Sequence, residues 1–225
     1  MTEIKICGIT DREEALFAAA CGVEALGFIF YAPSPRYIDP LQAREIIAAL
    51  PAEVVKVGVF VNLPVPAVQQ IVDFCSLDLI QLHGDETPEY CRQFPRSRLV
   101  KAVFLQSEAD LTRLELYHTQ AILVDARTSE KYGGTGKKAD WGLAARVKDG
   151  HNLILSGGLN EENIAAALAG VAPPAVDLNS GVESAPGRKD REKVRRIVAL
   201  IRSRDEARDG KPIFRKFTQE EGEHE

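Results

Sequence analysis

The sequence predicts an α/β protein, a single-domain (β/α)8 TIM barrel, on three observations. Apolar, β-rich runs recur about every 20 to 30 residues with helical patterns between them, the rhythm of βα units. The runs are nearly unbroken, as in Val54-Val55-Lys56-Val57-Gly58-Val59-Phe60-Val61, which suits parallel strands covered outside by helices and packed inside. Reactive and glycine-rich residues fall at the C-terminal ends of these runs, the catalytic face of a barrel. A doubly wound open sheet is the structural competitor, but it places its glycine fingerprint after the first strand. Here the glycine-rich turns follow the seventh and eighth runs.

Strands are expected near 3–7, 25–30, 54–61, 78–82, 98–104, 121–125, 153–156 and 175–178. Asp11 caps an alanine-rich helix over 13–21, and Gly22 stops it. Pro40 opens a helix over 41–50, with Pro51 just beyond it. Helical patterns then fit 65–75, 87–94, 107–117, 141–148, 160–169 and 189–203, completing eight. The barrel domain is thus 1–203. From Arg204 the composition turns to charge, so 204–225 reads as a solvated, flexible tail, although Ile213, Phe214 and Phe217 offer apolar side chains for docking.

At 225 residues and 45% hydrophobic, the chain holds one such barrel with a substantial core. The net charge of −5, with no basic stripe, argues against nucleic acid as a partner. It leaves room for an anionic small ligand, because local lysines and backbone amides receive phosphate. No apolar run approaches the roughly 20 residues of a membrane span. Cys7, Cys21, Cys75 and Cys91 lack C-x-x-C spacing, and the N-terminus lacks a signal-peptide pattern, so a cytoplasmic setting is expected. His83, His118, His151 and His224 show no metal-ligand spacing. A monomer and a homodimer are both open.

Ser156-Gly157-Gly158-Leu159-Asn160 and Asn179-Ser180-Gly181-Val182-Glu183 follow the last two strands. Both expose backbone N–H groups where no Cβ blocks approach, and in barrels these two loops are the usual phosphate pocket. Cys7 ends the first strand, with Gly8 placing its thiol at the mouth rather than mid-core. Lys5 shares its face, about 7 Å away by strand rise, and a neighbouring cation is expected to lower the thiol's pKa. Asp125 ends strand six, where it either caps a turn or serves as a general acid, which requires desolvation on ligand closure. His83 after strand four is open between a structural and a substrate-contacting role. Arg36, between prolines in Pro33-Ser34-Pro35-Arg36-Tyr37, presents a fork suited to a carboxylate. Tyr132-Gly133-Gly134-Thr135-Gly136-Lys137 fails the Walker pattern, since Lys131 stands at the first glycine, and reads instead as a lid with glycine hinges.

With these residues in place, the chain closely resembles the phosphoribosylanthranilate isomerase family from about Ile4 to Leu200. The resemblance rests on KICGIT, GFIFYAPSPRYI, VGVFVN, IQLHGDE, VDA, GGTGKKADW, LSGGL and VDLNSGVE-x-x-PG-x-KD, all in family order. It implies an Amadori rearrangement in tryptophan biosynthesis, in which a phosphoribosyl aminoaldose becomes the aminoketose without redox change and without a cofactor. It also implies Cys7 as general base, Asp125 as general acid and Arg36 on the anthranilate carboxylate. Gly157, Gly158, Ser180 and Gly181 then form the phosphate site. Asn179 stands where the family pattern has serine, so the backbone cradle carries over and a side-chain contact at that position does not. The alternatives are a related phosphosugar isomerase of broader specificity and a non-catalytic phosphosugar-binding barrel; the cysteine of KICGIT and the Cys7–Asp125 pair argue against them.

Overall fold

The computed structural model describes residues 1–125, 141–204 and 212–216. Eight parallel strands close on themselves: β1 Glu3–Cys7, β2 Ala25–Ile29, β3 Val55–Phe60, β4 Leu79–Leu82, β5 Leu99–Val103, β6 Ala121–Asp125, β7 Leu153–Ser156 and β8 Ala175–Leu178. Closure is made by β1 against β8, with Lys5 beside Asp177, while on its other side Cys7 pairs with Gly27 of β2. The helices are α1 Arg12–Ala20, α2 Pro40–Ala48, α3 Val65–Cys75, α4 Pro88–Cys91, α5 Glu108–Leu114, α6 Trp141–Val147, α7 Ile164–Val171 and α8 Arg191–Arg202. The architecture is the expected (β/α)8 barrel.

Local chemistry explains the element ends. The Asp11 carboxylate accepts the Glu13 and Glu14 amides and so starts α1, as its place before an alanine-rich run predicts. Helix α7 starts four residues later than expected from position 160. Asn160 Oδ1 accepts the Glu162 and Asn163 amides, and Asn163 Oδ1 accepts the Asn160 amide, so side chains satisfy the donors that a helical turn would use. Between β8 and α8 the chain forms a short 3₁₀ turn, Ser180–Val182, and an antiparallel hairpin of β9 Glu183–Ala185 and β10 Arg188–Lys189; Lys189 therefore belongs to a strand and not to the start of the last helix, which begins at Arg191.

Period-2 alternation sorts the strand side chains into two cores. Ile4, Ile6, Leu26, Phe28, Leu82 and Leu155 point outward and pack under the helices. Ala25, Val57, Leu79, Val100, Leu123 and Ile154 fill the lower lumen. Ile213 and Phe214 belong to that same interior cluster. The segment 212–216 therefore departs from the solvated tail expected across 204–225: both apolar side chains are buried, and their amides donate to the two Glu3 carboxylate oxygens at 2.7 and 2.6 Å. Residues 205–211 and 217–225, and with them Phe217, lie outside the described residues.

Candidate active site

The upper lumen carries charge instead of aliphatic packing. Lys5, wholly buried, donates to Asp177 Oδ1 at 2.9 Å across the β1–β8 seam. The Lys5 charge also acts on the Cys7 sulfur, two residues along the same strand face. Burial works against a charged Lys5, but Asp177 and Cys7 overcome it and hold the lysine above its ordinary value. Gly27 makes the arrangement possible, because a Cβ there meets the Cys7 sulfur at 2.8 Å and Lys5 Cε at 3.1 Å.

Lys5 and Cys7 therefore meet as their shared face requires, yet the expected lowering of the thiol pKa does not follow. Burial pushes the Cys7 thiol above its ordinary value, outweighing the Lys5 charge, and Asp177 adds to the rise.

Asp125 ends β6 beside Ser156 of β7 and is buried. His83 lies against it, with Nε2 3.8 Å from Asp125 Oδ2. The Gln81 amide nitrogen, which only donates, sits 2.9 Å from His83 Nδ1. Gln81 Oε1 is buried with no hydrogen-bond partner among the described residues.

Arg36 is held by Glu183: its Nε donates to Oε1 and Oε2 at 2.9 and 3.1 Å, and Nη2 donates to Oε2 at 2.7 Å. Lys189 reaches the same carboxylate at 2.7 Å and Asn179 Oδ1 at 3.0 Å. Burial alone drives the Glu183 carboxyl up, but Arg36 and Lys189 together bring it below the usual carboxylate range. The hairpin thus carries a buried acid that fixes an arginine from the β2 loop.

The two glycine-rich loops interlock. Gly157 and Gly158 adopt φ of +96° and +67°, and the Gly158 carbonyl accepts from Asn163 Nδ2 at 2.9 Å. A side chain at Gly181 collides with the Leu159 carbonyl, so the eighth loop packs directly over the seventh. Cys7, Asp125 and His83 all come from the carboxyl edge of the barrel, with Arg36 and both glycine loops on the connections that leave that edge. Sequence reading missed Gln81, Asp177 and Lys189. For Asp177 the signal was present, since it is a charged residue at inward parity within the apolar run Val176-Asp177-Leu178, level with Lys5 in the register. The segment Tyr132–Lys137, read as a lid, lies outside the described residues.

A closed parallel barrel with a thiol, two carboxylates and a histidine gathered at its carboxyl edge defines a TIM-barrel enzyme. The model of the family "N-(5'phosphoribosyl)anthranilate (PRA) isomerase" matches residues 4–199. The chain is 54% identical over 202 residues to N-(5'-phosphoribosyl)anthranilate isomerase of Syntrophus aciditrophicus, covering 90% of this chain and 88% of that one. Among solved structures, phosphoribosyl anthranilate isomerase of Thermotoga maritima superimposes with a TM-score of 0.84 at 42% identity, covering 90% of this chain and all of that one. A second such isomerase, in complex with reduced 1-(o-carboxyphenylamino)-1-deoxyribulose 5-phosphate, gives 0.80 at 39% identity with 90% and 100% coverage. The chain belongs to the N-(5'-phosphoribosyl)anthranilate isomerase family.

Proposed function

We propose that this chain converts N-(5'-phosphoribosyl)anthranilate to 1-(2-carboxyphenylamino)-1-deoxyribulose 5-phosphate with Asp125 as general acid and Cys7 as general base. The observation that carries the assignment is the placement of these two buried groups at strand ends around one lumen. Asp125 protonates the furanose ring oxygen. The C1′–O bond breaks as the anilino nitrogen lone pair forms the C1′=N bond of the Schiff base. Cys7 then removes the C2′ proton as its thiolate, the minor form of a thiol that burial holds above its ordinary value, and that electron pair shifts to give the enolamine, which tautomerises to the ketone. Electrons balance within the substrate, so the residues named supply only proton transfer and orientation.

His83, whose Nε2 lies 3.8 Å from Asp125 Oδ2, supports the carboxylate left after proton donation. Gln81 Oε1 is an acceptor left for a ligand N–H or O–H. Arg36 has five N–H donors, of which Glu183 occupies those described above, and the remainder face the substrate carboxylate. The amides of Gly157, Gly158, Ser180 and Gly181 receive the phosphate. All four cysteines are free, in keeping with a cytoplasmic enzyme. Among the described residues no helix is long and apolar enough to cross a membrane.

The test is turnover, followed as loss of substrate fluorescence, in wild type, Cys7→Ala and Asp125→Asn. Each variant is expected to lose roughly 10²- to 10⁴-fold in kcat while keeping its fold. Near-wild-type turnover in either folded variant removes that residue from the proposed role.

A further inference from the structure

One buried ion pair has no part in the site described so far. Among the described residues three ion pairs have both side chains almost wholly buried, and two of them, Lys5–Asp177 and Lys189–Glu183, belong to the catalytic mouth. The third is Lys101 of β5 with Glu86, Nζ 2.9 Å from Oε2, the side chains 3% and 1% exposed. Lys101 stands between Val100 and Ala102, which face the lumen, so it points to the helix side of the barrel. Two buried charges are costly, and an apolar pair of similar volume is often as stable or more so. Stability alone does not account for this pair.

What the pair holds is the turn that carries His83. Lys101 Nζ also donates to the Gly84 carbonyl at 2.7 Å, and Glu86 Oε2 accepts the Gly84 amide at 2.9 Å. Glu86 Oε1 accepts the Asn62 amide at 2.8 Å, and Asn62 Oδ1 accepts the Asp85 amide at 2.8 Å. The His83 amide donates to the Phe60 carbonyl at 2.8 Å. Three consecutive amides, 83 to 85, are thus fixed, one by the end of β3 and two by this network. The fit is close: a Cβ at Gly84 collides with the Asn62 side chain, and Asn62 itself takes the left-handed φ of +51° to make its two contacts. His83 therefore stands on a base wired from β3, β4 and β5, with its ring 3.8 Å from Asp125 and edge-on to Phe104.

We propose that Lys101, Glu86 and Asn62 are positioning residues for the isomerisation, acting through His83 by setting its ring against Asp125. The proposal rests on the roles given above to Asp125 and His83. A misplacement of about 1 Å can cost about 10²-fold in rate. His83 acts on charge that exists only after Asp125 has given up its proton, so loosening its base falls on kcat more than on KM.

The experiment is turnover of phosphoribosylanthranilate together with the His83 ring resonances of the ligand-free protein, identified by their loss in His83→Asn. Two variants are built on wild type and again on His83→Asn. Glu86→Gln with Lys101→Met removes the pair as a unit and leaves no lone buried charge. Asn62→Gly removes the Asp85 acceptor where glycine takes the positive φ freely, and it carries the test if the first variant does not fold. On wild type both are expected to shift the His83 resonances and lower kcat, the pair variant about tenfold with KM held within about twofold. On His83→Asn the same changes are expected to cost no more than about twofold further, because their route to the chemistry is already gone. Unchanged kcat, or equal losses on both backgrounds, overturns the proposal, as do His83 resonances that stay in place. Absence of turnover in wild type overturns the isomerase reading instead, and the resonances alone then decide whether the network sets His83.

Discussion

The two mouths of the barrel use the same eight strands in opposite ways. At the carboxyl edge the inward positions are Lys5, Cys7, Gln81, Asp125 and Asp177, which are buried polar groups set against one another. Toward the amino edge they become Ala25, Val55, Leu79, Val100 and Ala121, and Ile213 and Phe214 close the lumen as two more apolar residues. Alternation places every one of these strand residues in the lumen, so position along the strand decides whether a position serves chemistry or packing. A charged layer held by partners is costly to break in two currencies, stability and rate. An apolar layer should be costly in stability alone.

Lys5→Met breaks the upper layer most severely. It leaves Asp177 buried without its cation, and loss of one partner of a buried pair costs about 3–5 kcal/mol. Urea unfolding reads that cost. The same variant is expected to push the Cys7 thiol further above its ordinary value, because the lysine is what opposes burial there. An alkylation-rate profile against pH that matches wild type would separate Lys5 from the thiol.

Phe214→Ala attacks the floor. Removing a buried phenylalanine ring typically costs about 3–5 kcal/mol, and a docked end segment that frays locally should sit at the low end. Unfolding midpoints should fall while turnover per folded molecule holds. A parallel loss of turnover would mean that the two mouths are mechanically coupled and would end the contrast drawn above.

The smallest effect sharpens the picture around Arg36. The Glu183 carboxyl is held below its ordinary 4.5 by Arg36 and Lys189, although burial opposes them. A lowered folded value means that the contribution is complete above about 4.5 and is lost as pH falls through the folded value. Glu183→Gln should flatten that acid limb of the stability curve. At neutral pH its main expected effect is a raised KM, since Arg36 loses its anchor. An unchanged acid limb would show that the carboxylate does not titrate in unfolding.

The strands, Cys7 and Asp125 were legible because period, parity and chain order act locally: each residue closes an apolar run, and Gly8 marks the strand end directly after Cys7. Arg36 was legible as a fork on a rigid loop, but not its partner. The Glu183 contact spans 147 residues and depends on the β9–β10 hairpin, which no local pattern announced. The thiol's raised pKa was misjudged for a similar reason. The cation two residues away was visible, whereas the burial that outweighs it, and the smaller contribution of Asp177, 172 positions from Lys5, arise only on barrel closure. The docking of Ile213 and Phe214 was visible only as apolar residues in a charged stretch, with nothing to say where they bind.

The Glu3 clamp has a consequence for how the molecule is made. The amides that satisfy Glu3 lie 210 and 211 positions further along the chain. During synthesis this clamp stays open until all eight barrel strands have been made, so it closes on a barrel whose every stave is already present.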